Sequence, residues 1–288
     1  MPAPLHAIHA WWDPPADGPT NMALDEALAT EAALQEAVLV RISTWSRPAL
    51  SLGAFQALED ARASTAFAGL GIVRRSSGGG AIVHGSDITL CVAVPRGHRC
   101  GGTPQVLYDV AHGALVEELR FRGVEASMSA GRPVWASAPG IPAAPDSSPI
   151  EGAVTRLEKE PFLCFDRRAT GDVVIPDPRW QDGRDCKILG SAQRRLRGAI
   201  LQHGTLLLAA NRGVPVEVRH PGLDDLVGPE GSWQLPRAVD VVRGWLRRLA
   251  AGLGSPLVEA EGCFEPGPES GFESAVARFQ LDSWTARR

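Results

Sequence analysis

An α+β fold, a mixed β-sheet core with packed helices, is predicted by three observations on this 288-residue chain. Short runs rich in β-branched and apolar residues follow one another between Pro, Gly and Ser. Long helical patterns are inserted among them, and no regular strand-helix alternation sets in.

The first helix is predicted over 21–37, "NMALDEALATEAALQEA", which consists of good helix formers. Thr20 or Asn21 can cap it, and Asp25 and Glu26 stand near the positive end of its dipole. The runs "VLVRISTW", "ALSLGAF", "GIVRRSS", "GAIVHG" and "DITLCVAV" then read as strands joined by turns. A second helix is expected over 104–122, with Val106, Val110, Leu115 and Leu119 as its apolar stripe. Residues 129–149, dense in Ala, Pro, Ser and Gly, read as a mobile surface loop. Beyond it "DVVI", "CKILGSAQ", "GAILQ" and "HGTLLLA" rebuild a sheet, and helices near 236–252 and 271–283 follow. The chain thus divides into a main unit, 1–212, and a helical C-terminal extension, 213–288, packed on it. There is no internal repeat.

With 44% hydrophobic and 22% charged residues, the composition is that of an ordinary globular protein. A net charge of -4 leaves no basic excess for nucleic acid, so an acidic partner has to be met by a local patch. Neither a signal peptide nor an apolar stretch of about 20 residues is found, which excludes a membrane span and points to the cytoplasm. The five cysteines are odd in number and form no C-x-x-C pair, so reduced thiols are expected, with no disulfide framework and no metal site.

The chemistry centres on Cys164 in "PFLCFDRR" and Lys187 in "CKILGSAQRRLRGAILQHGTLLL". A thiolate can accept an acyl group as a thioester, and a fixed ammonium can bind the carbonyl oxygen as it gains charge. Cys164 has an apolar side (Phe162, Leu163, Phe165) and a charged side (Asp166, Arg167, Arg168), and nearby cations favour the thiolate. A small buried cysteine without chemistry fits the same position. Lys187 stands among apolar strand residues. If it points inward it needs an anionic partner, whereas at a sheet edge it would only deter pairing. Cys186, the rival nucleophile, must face away from Lys187 because successive strand residues alternate.

In "RRSSGGGAIVHGSDITL", Gly78, Gly79 and Gly80 permit close backbone approach to a ligand, and Arg74 and Arg75 suit an anionic group. A hairpin turn beside a solvated Arg pair explains the same letters, and the spacing is neither a P-loop nor a dinucleotide fingerprint. His84 and His203 are candidate substrate contacts or turn-holding structural residues. Gly190, Ser191 and Ala192 form a small-residue turn after Lys187.

Four segments in order, "NMALDEAL", "RISTWSRPALSLGAFQ", "RRSSGGGAIVHGSDITL" and "KILGSAQRRLRGAILQHGTLLL", resemble the biotin and lipoate protein ligase superfamily, in particular its lipoate-ligase-like octanoyltransferases. The resemblance runs from about residue 21 to 208. It implies a catalytic domain over 1–212, a tunnel for an eight-carbon acyl chain closed by the glycine-rich segment, Lys187 on the acyl carbonyl and Cys164 as nucleophile. Arg74, Arg75, Gly78, Gly79, Gly80, His84, Gly190, Ser191, Ala192 and His203 would then bind substrate. Asp87 and Ile88 depart from the family's Glu and Leu, and the insert over 176–185 lengthens the connection before Lys187.

The implied activity is transfer of an octanoyl group from acyl carrier protein to a lysine of a lipoyl domain, such as glycine cleavage H protein or a 2-oxoacid dehydrogenase E2 component, without cofactor. Arg194, Arg195 and Arg197 would meet the acidic partner. Two alternatives stand beside it: a lipoate or octanoate ligase using ATP and Mg²⁺, and a non-catalytic acyl- or lipoyl-domain-binding protein.

Overall fold

Near-continuous apolar residues in the strand-like runs need two covered faces. The computed structural model, which describes residues 7–131, 160–178, 184–227 and 235–287, supplies them. Its first half contains β1 (Ile8–Trp12), α1 (Gly18–Leu34), β2 (Val38–Ser43), β3 (Ala49–Leu52), α2 (Leu58–Arg62), β4 (Gly71–Arg74), β5 (Ile82–His84), β6 (Asp87–Pro95), α3 (Pro104–Phe121) and β7 (Ser127–Ala130). The second half contains β8 (Thr170–Pro176), β9 (Asp185–Leu196), β10 (Ala199–Leu207), α4 (Leu223–Leu226), α5 (Leu235–Leu253), β11 (Leu257–Glu259), α6 (Phe272–Gln280) and α7 (Asp282–Ala286).

Eight strands form one sheet in the order β11-β1-β2-β6-β10-β9-β8-β7, and three form a second in the order β4-β3-β5. β1 runs parallel to both β11 and β2, while β6, β10, β9 and β8 pair antiparallel, which makes the large sheet mixed. Val38, Val40, Ile88, Leu90, Val92, Ile200 and Leu206 face α3 and α5 in the main core. Leu39, Cys91, Ala93, Ala199 and Leu201 point the other way, onto α1. This α+β architecture is the one the sequence predicts.

Several boundaries differ from expectation. α1 starts at Gly18 and is capped by Asp17, whose Oδ1 accepts from Thr20 N at 3.0 Å. Asp25 and Glu26 therefore lie inside the helix, buried, and are met by partners rather than by the helix dipole. In α3 the buried stripe is Leu107, Ala111, Leu115 and Leu119, with Val106 left 41% exposed. The expected turn at "GSAQ" is strand: β9 runs on to Leu196, and the chain reverses at Arg197 and Gly198, both with positive φ. Gly204, after His203, makes no bend that the histidine could hold. It lies inside β10, where a Cβ would collide with Ser191 Oγ.

β1, β7 and β11 were not apparent from periodicity. The loop expected over 129–149 lies, beyond residue 131, outside the described residues. So do residues 179–183 of the 176–185 insert, although its ends pair, Pro176 opposite Asp185, and thus close a β-hairpin. After residue 213, β11 adds to the edge of the large sheet, and Trp245 of α5 donates its indole N–H to Ala111 O at 2.9 Å.

Candidate functional site

Cys164 opens a single 3-10 turn, Cys164–Asp166, whose entry is fixed by the glycine-rich segment. Ala81 bridges Leu163, and Cys164 N donates to Ala81 O at 2.8 Å. Gly80 allows this approach: a Cβ there would lie 2.7 Å from Cys164 N and 2.8 Å from its Cα. The glycines thus serve a backbone contact that brings the thiol to the large sheet.

Lys187 reaches the thiol from β9. Its Nζ lies 3.6 Å from Cys164 Sγ, 3.3 Å from Cys164 O and 2.8 Å from Asp172 Oδ2 of β8. The lysine is 3% exposed, and Asp172 is the anionic partner its burial demands. Asp172 is itself held, Oδ2 by Ala169 N at 2.8 Å and Oδ1 by Tyr108 OH at 3.1 Å. A Cβ on Gly190 would fall on Lys187 Cε and 2.6 Å from its Nζ, so that glycine leaves room for the ammonium. Cys186 packs against the main core, as strand alternation predicts.

A narrow cavity opens between the two sheets. Cys164, Arg75, Gly79, Gly190, Ser191, Ala192, His84 and His203 border it, along with Met22, Trp45, Ile82, Thr89 and Thr205, which sequence reading had not singled out. Apolar walls with a few fixed polar groups suit a short acyl chain bearing a carbonyl.

Arg74 takes no part in this cavity. It is fully buried and donates to Gly53 O, Gln56 O and Thr285 O at 2.9, 2.7 and 2.8 Å, fastening the small sheet to α7. Arg75 does border it, holding the glycine segment through Gly78 O at 3.2 Å and Gly80 O at 2.8 Å. Burial pulls its guanidinium down to about 10, with Cys164 opposing that shift, so it stays a cation at neutral pH. The cations expected beside the thiol, Arg167 and Arg168, are engaged by Glu160 and by Asp185 O. Lys187 stands in their place.

His84 stacks on Trp45 at 3.8 Å, with Nδ1 2.8 Å from Asp87 Oδ2 and Nε2 2.7 Å from Ser51 Oγ. Burial lowers its pKa, and Asp87 works against that. Asp87, one of the departures from the family pattern, is thus the partner of this histidine. His203 meets Ser77 Oγ through Nε2 and Asp25 Oδ2 through Nδ1, the latter at 3.3 Å.

His112 of α3 went unread in the sequence. It fixes Ser191, whose hydroxyl lies 2.6 Å from Nε2, while Nδ1 is 2.8 Å from Gly171 O. Burial lowers its pKa to about 4, so the ring is neutral: Nδ1–H donates to the carbonyl and Nε2 accepts from the serine. A signal existed, because His112 and Tyr108 interrupt an apolar helix at i, i+4 spacing. Asp172 had a signal too, as the acid at the head of the apolar run "DVVI".

Arg194, Arg195 and Arg197 do not form one face. Arg194 donates to Ser76 O beside the glycine segment, Arg195 to Gly102 O at 3.3 Å, and Arg197, in the hairpin turn, to Ser270 O at 3.2 Å. Among the described residues, no cluster of His, Cys, Asp or Glu is arranged to hold a metal ion, and no helix is long and apolar enough to cross a membrane.

A cysteine bordering the cavity with a buried, paired lysine beside it, on a mixed sheet backed by helices, is an arrangement able to hold an acyl group. The lipoyl protein ligase A/B catalytic domain matches residues 17–216, and the chain belongs to that family. It is 32% identical over 253 residues to the octanoyltransferase LipM of Symbiobacterium thermophilum, covering 85% of this chain and 78% of that one. To the octanoyltransferase LipM of Geobacillus kaustophilus it is 34% identical over 208 residues, 70% of this chain and 64% of that one. The match thus spans just under two thirds of the second relative's length. Among solved structures, a putative lipoate protein ligase from T. acidophilum superposes with a TM-score of 0.62 at 17% identity, covering 98% of this chain and 99% of that one. Lipoate-protein ligase A bound with ATP gives 0.60 at 17% identity, covering 98% of each chain. These two likenesses bear on the fold alone.

Proposed function

We propose that this chain transfers an octanoyl group from acyl carrier protein to a lysine of a lipoyl domain, through a thioester on Cys164, as a step of protein lipoylation. The observation that carries the reading is Lys187 Nζ at 3.6 Å from Cys164 Sγ, beside an enclosed, mostly apolar cavity. Similarity to octanoyltransferases at 32% and 34% identity favours the donor and acceptor classes named.

In the first half-reaction the Cys164 thiolate attacks the thioester carbonyl carbon. The carrier's C–S bond breaks, and the carrier sulfur leaves as a thiolate, taking from solvent the proton that Cys164 had given up. In the second, an acceptor amine attacks the Cys164 thioester, the new C–N bond forms, and the Cys164 sulfur is released. Thioester exchange is nearly isoenergetic and amide formation from a thioester is downhill, so neither step needs ATP. Lys187, oriented by Asp172, faces the oxyanion in both steps, and losing one such donor typically slows a reaction about 100- to 1000-fold. Lys187→Ala is therefore expected to slow both half-reactions, and Arg at that position to restore little, because a planar fork does not mimic a compact ammonium.

Glycine cleavage H protein and the lipoyl domain of a 2-oxoacid dehydrogenase E2 component are the acceptors to test. The ligase reading is kept as the second because the two ligase-like structures share this fold. Incubation with lipoyl-domain acceptor and either octanoyl carrier protein alone, or octanoate with ATP and Mg²⁺, separates the readings. Octanoylated acceptor from the carrier alone supports the transferase. Product only from the ATP mixture means a ligase, and product from neither means a binding protein.

A further inference from the structure

One buried group facing the cavity has no part in the two steps above. His203 shares the cavity lining with Cys164, while its Nδ1 lies 3.3 Å from Asp25 Oδ2. Asp25 is in turn 2.9 Å from Arg41 Nη1, and Arg41 also binds Asp13 and Asn21 Oδ1. Burial alone would raise the Asp25 carboxyl, but the His203 hydrogen bond and Arg41 hold it below its usual range. An anion therefore stands behind the imidazole. It fixes the proton on Nδ1 and leaves Nε2 as an acceptor toward the Ser77 hydroxyl, next to the triglycine.

The second half-reaction requires such an acceptor. A lysine side chain has an ordinary pKa of about 10.4, so the incoming group arrives as an ammonium without a lone pair. It has to lose one proton before it can attack. The Cys164 sulfur is acylated at that moment and cannot take it. Lys187 is paired with Asp172, and Arg75 is a cation. His84 is held in the same way, Nδ1 against Asp87 and Nε2 against Ser51 Oγ, but burial and the Arg75 cation, which fixes Ser51 Oγ at 2.7 Å, lower its pKa, and burial lowers that of His112 behind Ser191 to about 4. Among the titratable side chains described around this cavity, His203 is left.

Resting on the reaction proposed above, we infer that His203, backed by Asp25, is the base that deprotonates the acceptor lysine. The ammonium gives a proton to His203 Nε2, from which the Ser77 hydroxyl withdraws as the lysine arrives, forming an imidazolium beside the Asp25 carboxylate. The freed amine attacks the thioester carbonyl carbon, and the C–S bond breaks. The second amine proton goes to the departing Cys164 sulfur, and the imidazolium returns its proton to solvent. The groups packed around His203 fit this duty. They are Asp25 of α1 with Arg41 of β2 behind it, His84 of β5, and Cys91 of β6, a thiol that burial keeps neutral.

Hydroxylamine gives the test, because it is already unprotonated at neutral pH and needs no base. Acyl-enzyme is prepared on the wild type and on His203→Gln, and its single-turnover decay is followed with a lysine-bearing lipoyl domain and with hydroxylamine. For the variant we expect transfer to lysine to slow about 100-fold more than the reaction with hydroxylamine, the low end for loss of a general base. Equal loss with both nucleophiles would overturn the inference and leave His203 a support for the glycine segment. If His203→Gln does not fold, His203→Asn is put through the same two assays, and equal loss with lysine and with hydroxylamine would again overturn the inference. Failure of the wild type to form any acyl-enzyme would instead bring down the underlying reaction, which the adduct measurement reveals separately.

Discussion

Gly190 carries the most exacting requirement at the residue scale, because Lys187 fills the space its side chain would take. Gly190→Ala does not force a backbone change there, since the colliding atoms are the far end of a flexible chain. It does force the ammonium away from Cys164, and a displacement of about 1 Å at a reacting group can cost about 100-fold in rate. We expect Gly190→Ala to lower kcat by about that factor with a thermal midpoint close to wild type. A near-native rate would mean that the position of Lys187 is not critical. The sequence made Cys164, Lys187 and their opposed neighbour Cys186 legible, because residue type and strand alternation suffice for them. It did not reveal that Arg74 is a structural clamp while Arg75 borders the cavity. Neighbours in a strand leave on opposite faces, and nothing local says which face holds the site.

At the scale of elements, α3 contributes chemistry from behind the large sheet, where His112 reaches through to Ser191. Its pKa of about 4 lies below the ordinary histidine value of 6.5, so between these values the unfolded chain binds a proton that the native chain does not. Stability from this group is thus present above pH 6.5 and is lost as the pH falls toward 4. Between pH 7 and pH 5 the loss amounts to about 2 kcal/mol. Urea midpoints should fall over that interval, and His112→Gln should remove about that much of the fall. An unchanged slope would mean the ring is protonated in the fold. The strands of the central sheet were readable from their β-branched runs, whereas β1 and β11 were not. Both are short, and β11 consists of only Leu257–Glu259; its existence depends on β1 being there to pair with, which is tertiary information.

For the whole molecule, a net charge of -4 has to be reconciled with the acidic protein donor proposed above. Arg194 lies over the glycine segment through Ser76 O, and Arg278 and Arg287 are close enough to Arg194 or to each other that Arg287 is pulled down, first by burial and then by these cations. Of the three arginines expected to meet the partner, Arg194 is thus the one that belongs to a local concentration of cations beside the glycine segment. Arg194→Glu should raise the apparent KM for octanoyl carrier protein about tenfold, and rising salt should act on the wild type in the same direction, while a small octanoyl thioester is little affected. Equal losses on both donors would make Arg194 a support of the loop.

The central claim is the thioester on Cys164, and intact-protein mass after mixing with octanoyl carrier protein, without ATP, tests it most directly. The account predicts an adduct of about 126 Da on the wild type and on Cys186→Ser, removed by hydroxylamine and missing from Cys164→Ser. An adduct that persists on Cys164→Ser, or a wild type that octanoylates its acceptor without ever carrying one, would contradict it.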